Sequence, residues 1–105
     1  MEVIRLQEFG LTEKEARVYL ACLDFGEAKA SDIAKKAGVP RDGCYFFLNN
    51  LIKKGYIQEH TRSDVKRFSA TSPEIFLNEV KEKEQSMKQE RKVAESLYAK
   101  LLPIF

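Results

Sequence analysis

Hydrophobic residues recur at three- and four-residue spacing over most of the chain, which predicts a mainly α-helical protein. A short amphipathic turn or helix at residues 3–9 precedes a longer helix that begins at Thr12 and runs to about Asp24. Thr12 and Glu15 have the Thr-x-x-Glu spacing of a capping box. The predicted buried stripe of this helix has three- and four-residue spacing and comprises Ala16, Tyr19, Leu20 and Leu23. Cys22 lies off this stripe and faces a second contact.

Residues 31–54 show the layout of a helix-turn-helix. Ser31 is predicted to cap a first helix, and Gly38 is placed for a left-handed end to it. Val39 fills the turn, and Pro40 cannot continue the first helix but fits before a second one. In this motif the second helix usually lies in the DNA major groove.

The second helix, residues 42–54, separates into two faces at ~100° per residue. The inner face consists of Cys44, Phe47, Leu48 and Leu51, with Ile52 at its margin. The opposite face consists of Asp42, Phe46, Asn49, Asn50 and Lys53. Arg41 and Gly43 lie at the N-terminal end, and Tyr45 lies on a flank. The outer face and its N-terminal end are therefore the predicted DNA-binding surface.

Two alternating segments after this helix, residues 56–61 and 66–70, predict a β-hairpin with its turn at residues 62–65. Ile57 and Phe68 would anchor the hairpin to the core. A hairpin directly after a reading helix is the wing of a winged helix. Arg62 at its tip, with Lys66 and Arg67 on the returning strand, would follow the DNA backbone or enter the minor groove. Residues 27–30 predict a small strand or a simple link.

A last helix is predicted from residue 73 to 102, with Ser72 as its cap and Pro73 in its first turn. Its apolar seam has alternating four- and three-residue spacing: Phe76, Val80, Met87, Ala94, Leu97 and Leu101. Lys83 and Glu90 interrupt two of the eight seam positions. This pattern predicts a coiled-coil helix that forms a homodimer. The alternative is a helix folded back on its own domain.

The fold class is therefore mainly α with a small β-hairpin: a winged helix-turn-helix domain at 1–72 and a dimerisation helix at 73–105. Net charge is −2 for residues 1–30, +4 for residues 31–70 and zero for the rest. Positive charge on the motif and its hairpin suits a surface that meets phosphates. A solvated basic surface explains the same charge without DNA.

The sequence has no apolar run that would span a membrane and no signal-peptide pattern, so we expect a cytoplasmic protein. Cys22 and Cys44 have no metal-ligand spacing and are expected to be packed, reduced thiols. His60 stands apart from other ligand-type residues. With no catalytic or phosphate-loop motif, the sequence predicts no enzyme activity, metal site or cofactor.

Several stretches resemble the TrmB-type archaeal transcriptional regulators. These are residues 10–20 (Gly-Leu-Thr-Glu-Lys-Glu-Ala-Arg-Val-Tyr-Leu), residues 30–34, residues 38–41 with Tyr45 four positions on, and residues 66–68. The resemblance covers about residues 3–75 and implies a winged helix-turn-helix that binds DNA, commonly as a dimer. Larger members carry a C-terminal sugar-binding domain, which we do not expect here. The family often has a basic residue at the position of Gly43 and an acidic one at Phe46. MarR-like and ArsR-like regulators share the fold but fit these residues less well.

Individual residues suggest distinct roles. Arg41 is placed to contact a phosphate or a guanine edge, Asn49 and Asn50 an adenine or a phosphate, and Lys53 a phosphate. Gly43 would let the backbone approach a phosphate. Phe46 has three alternatives: touching a thymine methyl, tucking under the hairpin, or meeting a protein partner.

The sequence predicts a homodimeric, sequence-specific transcription regulator that binds double-stranded DNA. The alternative is a winged-helix protein–protein interaction module without direct DNA reading. The sequence alone identifies neither the operator, nor the sign of regulation, nor a small-molecule effector. It leaves open a redox role for the cysteines and the relative direction of the paired helices.

Overall fold

The computed structural model describes residues 2–105, which form two compact units: one ends at Ser72, and the other is Pro73–Phe105. The helices are α1 (Glu2–Gln7), α2 (Glu13–Phe25), α3 (Ala30–Ala37), α4 (Arg41–Lys54) and α5 (Glu74–Leu101). The strands are β1 (Ile57–Arg62) and β2 (Val65–Ala70), and a short 3₁₀ helix, Leu102–Ile104, follows α5. This confirms the predicted fold class, a helical winged helix-turn-helix with one hairpin and a long C-terminal helix.

α2 is the central helix of the first unit and packs on α1, α3, α4 and β2. Its capping box is present: Thr12 N–H donates to the Glu15 carboxylate at 2.9 Å, and Glu15 N–H donates to Thr12 Oγ1 at 3.1 Å. Because neighbours surround it, buried residues lie on more than one stripe. Val18, Ala21 and Cys22 are buried beside Ala16 and Tyr19. The predicted stripe was wrong at Leu23, which lies near the C-terminal end of α2 and is 39% exposed.

The turn between α3 and α4 has the backbone conformation that the sequence predicts. Gly38 has φ 72° and ψ 35°, which is the left-handed conformation. A residue with a Cβ adopts this conformation only at a cost in free energy. Val39 N–H donates to Ala34 O at 3.0 Å, and Pro40 is the N-cap of α4. The predicted cap at Ser31 was wrong: α3 begins one residue before it, with Lys29 as N-cap and no side-chain cap. The predicted Ser72 cap of α5 was also wrong, because Pro73 holds that position.

β1 and β2 form an antiparallel hairpin with Ile57 opposite Ala70 and Arg62 opposite Val65. Ser63 (φ 51°) and Asp64 (φ 63°) make the two-residue turn, and both are left-handed without being glycine. Type I′ turns have this conformation, and their twist matches that of the strands. Ala28 bridges Phe68 with two backbone hydrogen bonds, so the predicted strand-or-link at residues 27–30 contributes one strand-like residue beside β2.

Candidate nucleic-acid interface

α4 divides into a core face and an exposed face, as the spacing predicts. Cys44, Leu48 and Leu51 are buried in the core. The exposed residues of the predicted surface follow each other along the helix: Arg41, Asp42, Tyr45, Phe46, Asn49 and Lys53. Gly43 is half-buried, and a Cβ there would lie 3.8 Å from the Phe47 ring and 3.9 Å from Pro40 Cδ. These are ordinary contacts, so the position does not require glycine for packing.

Asn50 does not share this surface. Its side chain is half-buried and hydrogen-bonds the Glu15 carboxylate. Lys54 reaches the same carboxylate at 3.1 Å and also donates to Gly10 O at 3.1 Å. Asn50 and Lys54 therefore tie α4 to the start of α2, and the assignment of Asn50 to the outer face was wrong. Asn50 lies at the boundary between the two faces of α4.

Glu15 is the buried anion of this cluster, with only 2% of its surface exposed. Burial by itself raises the pKa of the Glu15 carboxyl. The hydrogen bond from the Thr12 backbone, the hydrogen bond and charge of Lys54, and the Asn50 amide together outweigh burial, so the pKa falls below its ordinary 4.5. The carboxylate therefore stays ionised and holds the N-terminal end of α2 against the C-terminal end of α4.

A groove of about 300 Å³ joins the N-terminal ends of α3 and α4 to the hairpin turn. Three basic side chains line it from three elements: Lys29, Arg41 and Lys66. Tyr45 also lines the groove and packs edge-on against Phe68 of β2, with ring centroids 6.4 Å apart. This aromatic contact fixes the position of the hairpin relative to α4. The groove thus brings together three of the predicted residues, Arg41, Tyr45 and Lys66.

Two charged residues that line the groove were not predicted as site residues. Lys29 precedes α3 and carries no motif that would single it out, and Asp64 is the acidic residue of the hairpin turn. Because Asp64 lies among the three cations, it partly neutralises the groove. Only the fold brings Lys29 and Asp64 together, since they are far apart in the sequence.

The predicted basic residues of the hairpin divide between its two faces. Strand alternation places Lys66 on the same face as Phe68, toward α4, and Arg62 and Arg67 on the other. Arg62 pairs with Glu27 at 3.0 Å, and Lys66 pairs with Glu59 at 3.3 Å. The basic side chain of each pair is largely exposed, so both pairs are weak. Arg67 is half-buried opposite His60, whose ring lies 2.9 Å from Ser69 Oγ.

Two cations on α4 have no such partner. Within residues 2–105, Arg41 and Lys53 make no ion pair or side-chain hydrogen bond, and both are exposed. They stand near opposite ends of the exposed face, with Phe46 and Asn49 between them. Phe46 is 62% exposed, and its ring lies edge-on to that of Phe47 in its own helix, with the centroids 5.6 Å apart. Such exposure contradicts the alternative in which Phe46 tucks under the hairpin.

The two cysteine thiols, Cys22 and Cys44, are buried and poorly reactive. Burial, and to a lesser degree the neighbouring Cys44, raises the pKa of Cys22 to about 12, and burial raises the pKa of Cys44 to about 11. Among residues 2–105, no three side chains of the metal-binding types cluster together. No helix in this part of the chain is long and apolar enough to cross a membrane.

The C-terminal helix exposes its predicted seam. From Val80 to Leu101, every seam residue is solvent-exposed, including Met87, Ala94 and Leu97, and Phe76 is half-buried. Leu77, Val93, Tyr98 and Leu102 add further exposed apolar surface. Exposed apolar surface of this extent is common where a protein binds a partner.

Comparison with known proteins identifies the family. The model of the sugar-specific transcriptional regulator TrmB matches residues 6–74. The chain is 35% identical, over 78 residues, to the HTH-type sugar sensing transcriptional regulator TrmBL1 of Pyrococcus furiosus, covering 74% of this chain and 23% of that protein.

Solved structures agree with the fold. The archaeal chromatin protein TrmBL2, described as showing a novel mode of DNA binding, has a TM-score of 0.74 and 27% identity, covering 99% of this chain and 41% of that one. YusO from Bacillus subtilis, with a TM-score of 0.61, 20% identity and coverage of 99% and 84%, shares the fold alone. The chain spans less than half the length of TrmBL1 or TrmBL2. The resemblance inferred from the sequence is confirmed, and the chain belongs to the TrmB family of transcriptional regulators.

Proposed function

We propose that this protein is a sequence-specific, DNA-binding transcription regulator that acts as a homodimer and has no enzyme activity. The observation that carries the proposal is the exposed face of α4, where Arg41 and Lys53 have no protein partner among residues 2–105. Exposed cations at both ends of a reading helix suit phosphates on either side of a major groove. The names of the relatives, a transcriptional regulator and a DNA-binding chromatin protein, support the same role.

In this proposal the groove lined by Lys29, Arg41 and Lys66 receives the DNA backbone beside the major groove. Phe46 and Asn49 lie between the two phosphate-binding cations and face the bases. An apolar ring can contact a thymine methyl, and an Asn amide can pair with the edge of an adenine. Sequence preference would therefore reside mainly in these two residues and in Arg41.

A second candidate is a protein–protein interaction module. The specific observation in its favour is Phe46, an aromatic side chain 62% exposed at the centre of the outer face. Aromatic residues of this kind are common anchors at protein interfaces. The modest net charge of +2 fits this candidate as well.

Fluorescence anisotropy with labelled mixed-sequence duplexes at two salt concentrations separates the two candidates. A DNA-binding protein should bind at low salt and lose affinity steeply at higher salt, because each phosphate contact releases counterions. Absence of binding at low salt would refute the DNA proposal and favour the interaction module. Selection from random DNA would then show whether binding is sequence-specific.

Light scattering of the intact chain tests the dimer. The exposed seam of α5 is the proposed interface, and Val80, Met87, Leu97 and Leu101 are among its apolar residues. A stable mass of two chains at micromolar concentration is expected. A mass of one chain under these conditions would refute the dimer without bearing on DNA binding.

A further inference from the structure

We propose that two copies of α5 pair antiparallel, with Val80 of one helix opposite the partner's Leu97 and the two-fold axis between Lys88 and Gln89. The inference rests on the proposed homodimer and adds the direction and register of its helices. The occupant of the exposed seam is thus a second copy of this chain. The order of apolar and charged residues along α5 supports the proposal.

The seam is symmetric about its own midpoint. Its eight positions follow a four-and-three spacing: Phe76, Val80, Lys83, Met87, Glu90, Ala94, Leu97 and Leu101. When the helix is reversed about a point between Lys88 and Gln89, every position meets another seam position. Phe76 then meets the partner's Leu101, and Lys83 meets the partner's Ala94. Sliding the helices by one heptad would leave two seam residues of each helix without a counterpart.

The two polar seam residues favour this direction. In a parallel pair, Lys83 would face the partner's Lys83 and Glu90 would face the partner's Glu90, so like charges would meet in the interface. In the antiparallel pair, Lys83 lies opposite the small Ala94, which leaves room for the Lys stem. The partner's Glu90 is level with Met87, one layer from Lys83, which is ~6 Å at 1.5 Å per residue. Symmetry gives two Lys83–Glu90 pairs in each dimer.

The positions that flank the seam favour the same arrangement. In antiparallel coiled coils, flanking positions of the same kind lie beside each other. Glu84 then lies near the partner's Arg91, and Glu79 near the partner's Lys100. A parallel pair would instead bring Glu79 near the partner's Glu84, with like charge. Arg91 pairs with Glu95 of its own helix at 3.0 Å, but both side chains are largely exposed, so the pair is weak.

Exposed apolar residues on one flank also find partners. Leu77 and Tyr98 are 64% and 67% exposed, and neither belongs to the seam. The antiparallel register places Leu77 beside the partner's Tyr98 and widens the apolar strip at both ends of the interface. In a parallel pair, neither residue is level with the other.

Disulfide cross-linking tests the direction. Val80→Cys and Leu97→Cys are made as separate variants of different mass, and each is first shown by light scattering to stay dimeric. A disulfide needs Cα atoms within ~7 Å, whereas the antiparallel pair separates the two copies of residue 80 by 17 positions, or ~25 Å. Native Cys22 and Cys44 are buried and do not interfere.

Under mild oxidation, the mixture of both variants should yield a cross-linked heterodimer, while each variant alone should yield little product. Self-cross-linking of Val80→Cys would overturn the antiparallel direction while leaving the dimer intact. A dimeric mixture that forms no heterodimer cross-link would overturn the register. A monomeric native chain would instead refute the dimer on which the inference depends.

Charge reversal gives an independent readout. Lys83→Glu should weaken dimerisation ~10-fold in the antiparallel pair, because it replaces two attractive Lys83–Glu90 pairs by two repulsive ones. Adding Glu90→Lys should restore most of the affinity. In a parallel pair, Lys83→Glu would exchange one like-charge contact for another. Unchanged affinity of Lys83→Glu would therefore overturn the proposal.

Discussion

Asp64 is the residue whose charge most directly opposes the proposed phosphate-binding groove. It occupies a left-handed position of the hairpin turn (φ 63°) and lines the groove with Lys29, Arg41 and Lys66. Asn tolerates the same backbone conformation and has nearly the same shape. Asp64→Asn should therefore preserve the turn and raise DNA affinity about threefold at low salt, as one charge–charge repulsion near the surface is removed.

Anisotropy titration measures this change, and Glu8→Gln is its matched control. Glu8 is exposed and does not line the groove, so its neutralisation removes the same charge without changing the groove. An equal change in DNA affinity for the two variants would mean that affinity depends on net charge and not on the groove. Weaker binding of Asp64→Asn would argue that DNA does not enter the groove.

Glu15 makes stability depend on pH in a defined direction. Its pKa in the folded protein lies below the ordinary 4.5. A carboxyl with a depressed folded pKa contributes stability above the unfolded pKa and loses it as pH falls through the folded value. Glu15→Gln should lower the free energy of unfolding at pH 7 and reduce the loss of stability in acid below about pH 4.5.

Urea denaturation at a series of pH values tests the Glu15 prediction, with Glu13→Gln as the control on the same helix. Glu13 is exposed and pairs only with Arg17 one turn on. If both variants keep the acid dependence of the native protein, Glu15 is not the group responsible.

The two cysteines should be unreactive in the folded protein. Their pKa values of about 12 and about 11 leave almost no thiolate at pH 8. Alkylation by iodoacetamide, followed by mass spectrometry, should therefore proceed only as fast as the protein unfolds. Rapid labelling of either thiol without urea would contradict its burial and reopen a redox role.

Within α4, Gly43 is the residue at which helix stability and the proposed DNA binding conflict most clearly. The residue is in the first turn of α4, and a Cβ there would make only ordinary contacts. Gly43→Ala should raise the free energy of unfolding by up to ~1 kcal/mol, from helix propensity alone. If the backbone at Gly43 approaches a phosphate, the same change should weaken DNA binding.

Chemical denaturation and anisotropy titration of Gly43→Ala test the two parts separately. The control is Ser96→Ala, which changes an exposed helical residue of α5. A stabilised protein with unchanged DNA affinity would show that Gly43 does not serve a close approach. A destabilised protein would contradict the contacts described around it.

Much of the helix-turn-helix could be predicted because its signals are local. The Thr12 capping box, the left-handed Gly38 and the two faces of α4 each depend on residues within one or two turns of each other. Asn50 and Leu23 were misplaced because their surroundings depend on distant residues. Glu15 reaches Asn50 from another helix, and the exposure of Leu23 depends on which elements pack beside the end of α2. Lys29 and Asp64 joined the candidate groove only through the packing of the hairpin beside α3 and α4.

For the whole molecule, dimerisation and DNA binding should be separable by a change in α5. Leu97→Glu places a charge in the proposed seam and should produce a monomer by light scattering. Ser96→Glu adds the same charge at a neighbouring exposed position off the seam and should leave the dimer intact. A Leu97→Glu protein that stays dimeric would contradict the assigned interface.

DNA binding by the exposed face of α4, through Arg41 and Lys53, can be measured from the salt dependence of affinity. Anisotropy titrations compare the native protein with Arg41→Ala/Lys53→Ala at several salt concentrations. Lys14→Ala/Lys35→Ala, which removes two exposed cations from α2 and α3, is the control. The α4 variant should stay folded, bind more weakly, and lose ~1 unit of the slope of log affinity against log salt for each phosphate contact removed. Unchanged affinity and slope in a folded α4 variant would contradict DNA binding through this face of α4.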